Sequence, residues 1–268
     1  MPERSVILVT GASSGFGRAT ASFLAAREFQ VYGTSRHPGL MKDEGFEMLQ
    51  LDVDSDQSVN SCVSALIEKA GRIDVLVNCA GYALTGGLEE TSIDEAKAHF
   101  ETNFFGMARM VNAVLPNMRL RKSGRIVNLG SAAGTIPVPF EGFYGAAKAA
   151  LLAYTETLRH EVKSFNIEVS ILEPGFFRTN LGNARKEAGR RISDYGEMRA
   201  RASERLLEDF ESGEDPKMVA EMIFRIIEDP SPRLRYSVGR AKRYLLLKKI
   251  IPSSMFESSM RKHYRLDG

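Results

Sequence analysis

The amino-acid sequence predicts one α/β domain, a doubly wound parallel sheet of about seven strands with helices on both faces. Three observations carry that expectation. Short runs rich in Val, Ile and Leu alternate with longer stretches of helical period. The short runs are continuously apolar, as strands covered on both faces are, whereas one wetted face would make them alternate. A glycine-rich turn, Thr10 to Gly17, follows the first run directly and opens the first helical stretch.

Taken in order, strands are expected at 5–10, 30–34, 47–52, 75–78, 124–129 and 168–173, with a last one around 235–238. Helices are expected at 18–27, 55–70, 93–121, 144–165 and 216–228, and Asp215 followed by Pro216 is a sound cap and first-turn pair for the last of them. Right-handed crossovers then wind the sheet on both sides. Two stretches depart from the alternation. Residues 179–213 are polar, charged and weakly periodic; a long insertion after a strand's carboxyl end covers the ligand crevice in such sheets, so a substrate lid is expected there. Residues 239–264 hold a compact apolar group, Tyr244 to Leu247 with Ile250, Ile251, Met255 and Phe256, broken by Pro252, and read as a C-terminal extension of two short helices.

Composition narrows the class. With 268 residues, 43% apolar and 26% charged, the chain can bury a core without a disulfide or metal staple, and no segment has linker composition, so residues 1–268 read as a single domain. Cys62 and Cys79 lack metal-ligand spacing; reduced thiols in the cytoplasm are expected, with no disulfide and no metal. A strand begins within five residues of the N-terminus and no apolar run approaches about 18 residues, so neither signal peptide nor membrane span is expected. A net charge of +2 is too near balance to imply nucleic acid as a partner.

The glycine turn is a phosphate cradle, in which the backbone of Gly11, Ser13, Ser14, Gly15 and Phe16 brings helix N–H groups against a pyrophosphate. Arg18 and Ala19 follow Gly17 where a P-loop would carry its lysine and hydroxyl, which disfavours nucleoside triphosphate chemistry. At the end of the second strand an acidic side chain would hold a ribose 2′-hydroxyl and repel a 2′-phosphate. This chain has Thr34-Ser35-Arg36 there, so NADP(H) is expected, with Arg36 on the phosphate.

From these residues onward the chain resembles the short-chain dehydrogenase/reductase family, whose TGxxxGxG spacing the turn matches and whose further motifs follow in order to about residue 179. The resemblance implies a Rossmann-type sheet and an NADP(H)-dependent transfer of hydride between nicotinamide and a carbonyl or secondary alcohol. Asn78-Cys79-Ala80-Gly81 resembles the family's NNAG, with cysteine for the second asparagine, and implies that Asn78, Ala80 and Gly81 support the sheet and pass the ribose. Asp52, with Val53, stands where the family meets the adenine. Pro174-Gly175-Phe176-Phe177-Arg178-Thr179 resembles PGxxxT, which implies that Pro174, Gly175, Phe177 and Thr179 reach the nicotinamide carboxamide.

Tyr144 and Lys148 stand four apart, on one helix face and one turn apart. A phenol with its ordinary pKa near ~10 trades protons poorly at neutral pH, and a neighbouring cation is expected to lower it. By itself this spacing is nearly uninformative; the flanking motifs give it weight. Ser131, thirteen residues earlier and just after a strand, matches the family's substrate-binding serine, whose hydroxyl donates to the substrate oxygen. Asn103 matches the asparagine that breaks helical regularity and holds a water beside the lysine.

Pro137, Val138, Phe140, Phe143, Phe176, Phe177, Tyr82 and Leu84 flank these motifs, and either line a lipophilic or aromatic substrate or belong to the core. A small-molecule carbonyl or alcohol is therefore the expected partner. The resemblance also implies a homodimer or homotetramer pairing the long helices, for which Ala146, Ala149, Ala150, Ala153 and Tyr154 give close-approach surfaces, unless these pack within one subunit. The basic residues Arg240, Lys242, Arg243, Lys248 and Lys249 beside the apolar C-terminal group suit an anionic membrane, but cover over the substrate crevice is the favoured reading. A catalytically silent NADP-binding regulatory module is the alternative function, and the complete tetrad argues against it.

Overall fold

Apolar runs and helical stretches become regular elements close to where the sequence places them. A computed structural model of the chain describes residues 4–40, 45–178 and 185–267. In chain order the elements are β1 (Val6–Val9), α1 (Gly15–Ala25), β2 (Gln30–Ser35), β3 (Glu47–Gln50), α2 (Asp56–Ala70), β4 (Val75–Asn78), β5 (Leu84–Thr85), α3 (Ile93–Phe100), α4 (Gly106–Arg121), β6 (Gly124–Leu129), α5 (Gly142–Val162), β7 (Ile167–Pro174), β8 (Lys186–Glu187), α6 (Gly196–Glu211), α7 (Lys217–Glu228), β9 (Arg235–Val238), α8 (Ala241–Ile250) and α9 (Ser253–His263).

Seven strands form one parallel sheet in the order β3-β2-β1-β4-β6-β7-β9. The order reverses between β1 and β4, where Ile7 lies opposite Val75, and the crevice at such a reversal is where doubly wound folds bind ligands. Alternate residues of β1 feed the two cores: Val6 and Leu8 pack with α2, α4 and α5 on one face, Ile7 and Val9 with α1 and α7 on the other. All four are buried, each such side chain contributing roughly 1.5–3 kcal/mol, which is why this strand reads as an unbroken apolar run.

Local signals set the helix ends. Ser55 accepts from the Ser58 N–H at 3.2 Å to cap α2, and Gly71, with φ of 76°, closes it. Ser92 and Glu95 make a reciprocal capping box on α3. The helix expected at 93–121 is not continuous: a π-helical turn, Glu101–Phe105, separates α3 from α4 and contains Asn103.

Residues 185–213 carry more order than their polar sequence suggests. β8 pairs with β5, and α6 buries Ala202 and Leu206 on a thin apolar stripe between charged positions. That stripe packs with Tyr264, Val138, Phe140, Phe176 and Met260 in a third, smaller core. The C-terminal segment forms α8 and α9 on either side of Pro252. No helix among the described residues is long and apolar enough to cross a membrane.

Candidate active site

A cavity of about 820 Å³ opens along the carboxyl edge of the sheet, and most of the residues singled out in the sequence line it. Gly11, Ser13, Ser14, Gly15 and Phe16 form one wall, Asp52 and Val53 another, Ala80 and Gly81 a third, with Pro174 and Gly175 beside them. The turn after β1 is held by Thr10, whose Oγ1 accepts from the N–H groups of Cys79 and Ala80, each at 3.0 Å. A Cβ at Gly11 would come within 2.9 Å of the Ala80 Cα, so glycine alone permits this approach.

The wall suits a dinucleotide on grounds of its own. Ser14 caps α1 without a side-chain hydrogen bond, and the first turn carries no acid, leaving the positive helix end to an anion. A Cβ at Gly15 would meet no protein atom within 4 Å, so open space lies where the cradle needs it. Arg36 is exposed at the cavity edge beyond β2, where it forms no hydrogen bond or ion pair among the described residues. Asp52 has a structural duty as well, since its Oδ1 accepts from the Asp54 N–H at 3.1 Å.

Three expected cofactor residues stand elsewhere. Asn78 is buried behind the wall, donating from Nδ2 to Asn128 Oδ1 at 3.0 Å, because the pleat turns it toward α5. Phe177 is buried edge-on against Phe16 at 5.5 Å between ring centroids and belongs to the core under the turn. Thr179 lies outside the described residues, as does the start of the expected lid.

Ser131, Tyr144 and Lys148 all line the cavity. Ser131 ends the loop after β6 and accepts on Oγ from the Ala133 N–H at 3.1 Å, which leaves its own O–H to donate. Lys148 donates from Nζ to the Leu129 carbonyl at 2.9 Å and lies 5.8 Å from the centre of the Tyr144 ring. Burial brings the Lys148 ammonium down to about 8, with Cys79 opposing that shift. The Tyr144 phenol moves opposite to the sequence expectation: burial raises it, a hydrogen bond with Ser131 lowers it and Glu141 adds to the rise. The lysine is itself desolvated, and the protein alone does not turn the phenol into a phenolate.

Asn103 also lines the cavity and ties the π turn to the β4 loop, accepting on Oδ1 from the Tyr82 N–H at 3.3 Å and donating from Nδ2 to the His99 carbonyl at 3.1 Å. A Cβ at Gly81 would sit 2.5 Å from that Oδ1. His99, which the sequence reading passed over, is fully buried, donates from Nε2 to the Tyr82 carbonyl at 3.1 Å and packs 6.0 Å from the Tyr144 ring. Burial lowers its pKa to about 4, so it stays neutral.

Of the flanking apolar residues, Tyr82, Val138 and Phe176 reach the cavity, whereas Pro137, Phe140, Phe143 and Leu84 do not. Further apolar wall comes from Ile136, from Phe210 of α6 and from the C-terminal segment through Tyr244, Leu247, Ile251, Phe256 and Met260. Glu141 lines it too; a lone acid in an otherwise apolar lead into Tyr144 was the only signal for it.

The family described as short chain dehydrogenase matches residues 5–189. The chain is 36% identical to a 3-ketodihydrosphingosine reductase of Bacteroides thetaiotaomicron, over 98% of this chain and 99% of that protein. It is 34% identical to retinol dehydrogenase 8 of Bos taurus, over 92% of this chain and 86% of that protein. Among solved structures, a short-chain dehydrogenase from Streptomyces avermitilis matches with a TM-score of 0.85 and 34% identity, covering 98% of this chain and 97% of that one. ElxO with NADP bound matches with a TM-score of 0.75 and 26% identity, covering 90% and 100%. A short-chain dehydrogenase/reductase from Burkholderia phymatum in complex with NAD matches with a TM-score of 0.81 and 27% identity, covering 92% and 93%. The motifs and their order, the sheet and these likenesses agree: this chain belongs to the short-chain dehydrogenase/reductase family and is an oxidoreductase of the nicotinamide-dependent kind.

Proposed function

We propose that this enzyme interconverts a ketone and its secondary alcohol on a lipophilic molecule, using NADP(H). One observation carries the reading: a single cavity is lined by the glycine turn, by Ser131 and Tyr144, and by the apolar side chains of Val138, Phe176, Leu247 and Phe256. The names of a 3-ketodihydrosphingosine reductase and a retinol dehydrogenase among its relatives support a lipophilic substrate. For the cofactor, Arg36 in place of an acid supports the phosphorylated form, as does NADP in ElxO, while the Burkholderia relative holds NAD.

Bound along the glycine turn, the nicotinamide would supply or accept the hydride. The side chains do the rest. In the reducing direction Ser131 donates to the substrate oxygen and steadies the charge that develops there, and Tyr144 delivers its proton to the same atom. A phenol kept protonated by burial suits that direction. Lys148, fixed by the Leu129 carbonyl beside the Tyr144 ring, would hold the cofactor, and Asn103 anchors the π turn behind them.

The segment at 185–213 acts as the substrate lid, and α8 and α9 close the far wall, with the basic residues of α8 left to solvent. The exposed Ala146, Ala149 and Ala153 on one face of α5 support a homodimer or homotetramer through that helix, and light scattering at micromolar concentration would show a monomer if this is wrong. Two cysteines that stay free support a cytoplasmic setting.

The test is NADPH oxidation with a panel of ketosteroids, retinals, long-chain acyl ketones and small polar ketones. Fastest turnover is expected among the lipophilic members. Best turnover on a small hydrophilic ketone overturns the substrate class, and NADPH binding without oxidation on any member favours the regulatory module.

A further inference from the structure

A side chain that the reduction does not use stands one helical turn before Tyr144. Glu141 lines the cavity, is 4% exposed, and has no hydrogen-bond partner for its Oε1. Buried carboxyl oxygens are ordinarily satisfied, because an unmatched acceptor away from water is costly.

Its position is built by the backbone around it. Phe140 adopts a left-handed conformation, with φ of 61°, that side-chain-bearing residues rarely take. The Gly86 N–H donates to the Phe140 carbonyl at 2.8 Å, the Glu141 N–H donates to the Val138 carbonyl at 3.1 Å, and the Gly145 N–H donates to the Glu141 carbonyl at 2.8 Å. The carboxyl is thus presented from a fixed turn. Burial pushes its pKa up to about 7, opposed by the positive charge of Arg185, while its own charge raises the phenols of Tyr144 and Tyr264. These groups leave room for a further donor to stabilise the ionised form.

We propose that Glu141 reads the substrate: its unpartnered oxygen accepts a hydrogen bond from a hydroxyl or ammonium group carried near the carbon that Ser131 and Tyr144 address, on an otherwise apolar chain. Glu141 is the residue that caps the helix whose first turn holds Tyr144, and both side chains line the same cavity. This rests on reading the cavity as the site of carbonyl reduction, and explains why a pocket with apolar walls keeps one acid beside its proton donor.

The test compares three matched long-chain ketones, one plain, one with a 2-hydroxyl and one with a 2-amino group, with the wild type, Glu141→Gln and Glu141→Ala. Wild type is expected to favour both substituted ketones over the plain one by about tenfold or more in kcat/KM, the worth of one charge-assisted hydrogen bond. Glu141→Ala should bring both ratios to within about twofold of one. Glu141→Gln should keep the hydroxyl preference and lose the amino one, since an amide oxygen accepts from a hydroxyl but does not neutralise an ammonium. NADPH affinity, read by fluorescence, reports that the variants are folded. Equal turnover of the three ketones by wild type, or ratios that survive Glu141→Ala, overturns the proposal. Should no ketone turn over, calorimetry on the NADP⁺ complex decides separately, with a long-chain 2-amino alcohol and a plain alcohol of equal length. Tighter binding of the amino alcohol that is lost in Glu141→Ala supports Glu141 as the reader although the reduction has failed; equal affinities overturn it.

Discussion

The cofactor side and the substrate side of the cavity are built from different materials. On the cofactor side the wall is largely backbone: Gly11, Ala80 and Gly175 follow strand ends of one sheet and Gly15 opens α1, and what the site requires is the absence of side chains. On the substrate side the wall is side chain, contributed by the segment before α5, by α6 and by α8 and α9, which lie far apart in the chain. The first arrangement is a local conformational demand that few residue types meet. The second exists only after the segments pack, and many apolar residues would serve. The sheet edge therefore carries the conformational demand of the site, and the cover carries its packing.

Substitutions at the meeting point of the two sides should separate them most sharply. Tyr144→Phe is expected to keep NADPH binding while losing about a thousandfold or more in turnover, whereas Lys148→Ala weakens both. Stopped-flow turnover with a parallel fluorescence titration checks the split, and near-normal activity in Tyr144→Phe would remove the proton-donor role.

Gly17→Ala attacks the cofactor side alone. Its Cβ would run into the Gly11 carbonyl and lie 3.0 Å from the Thr10 carbonyl oxygen, so the turn must shift, at a cost of about 1–3 kcal/mol. NADPH affinity should fall by about tenfold or more, and an unchanged dissociation constant would show that the cradle is not the binding wall. Arg36→Ala is the finer probe: NADPH should be favoured over NADH by at least about tenfold in wild type, and the preference should largely vanish with the charged contact, worth about 1.5–3 kcal/mol. Equal kcat/KM for both cofactors in wild type would sink it.

Glu141→Gln carries the smallest effect, and it concerns stability. The folded-state pKa of about 7 exceeds the ordinary 4.5, so between these values the folded protein keeps a proton that the unfolded chain has lost. The stabilisation that this proton brings is full below pH 4.5 and gone above pH 7. The glutamine variant lacks that dependence and should gain stability over wild type at alkaline pH but not in acid. Thermal melts at the two pH extremes check the crossover; equal differences at both would mean that the carboxyl is not buried.

How far the site was legible follows the same division. Tyr144 and Lys148 at helical spacing, with Ser131 after a strand, were legible only because the flanking motifs stand in order around them. Asn103 was legible as a misfit in a helical run, and the π turn is the form that misfit takes. Residues 185–213 were not, because the apolar stripe of α6 is too thin to stand out among its charges until Tyr264 and Met260 complete the core.

By itself the sequence determined the strands, the doubly wound sheet, the glycine turn and the spacing of Ser131, Tyr144 and Lys148, because each is a short-range requirement on backbone conformation or on one face of one element. Tertiary structure alone decided that Asn78 and Phe177 face away from the cavity, that Met260 joins Val138 in one small core, and that Glu141 is left with an unpartnered oxygen. It also decided that burial brings the Lys148 ammonium to about 8. These are properties of which atoms exclude water from which, and that is settled by contacts between residues more than a hundred positions apart, as between Val138 and Tyr264.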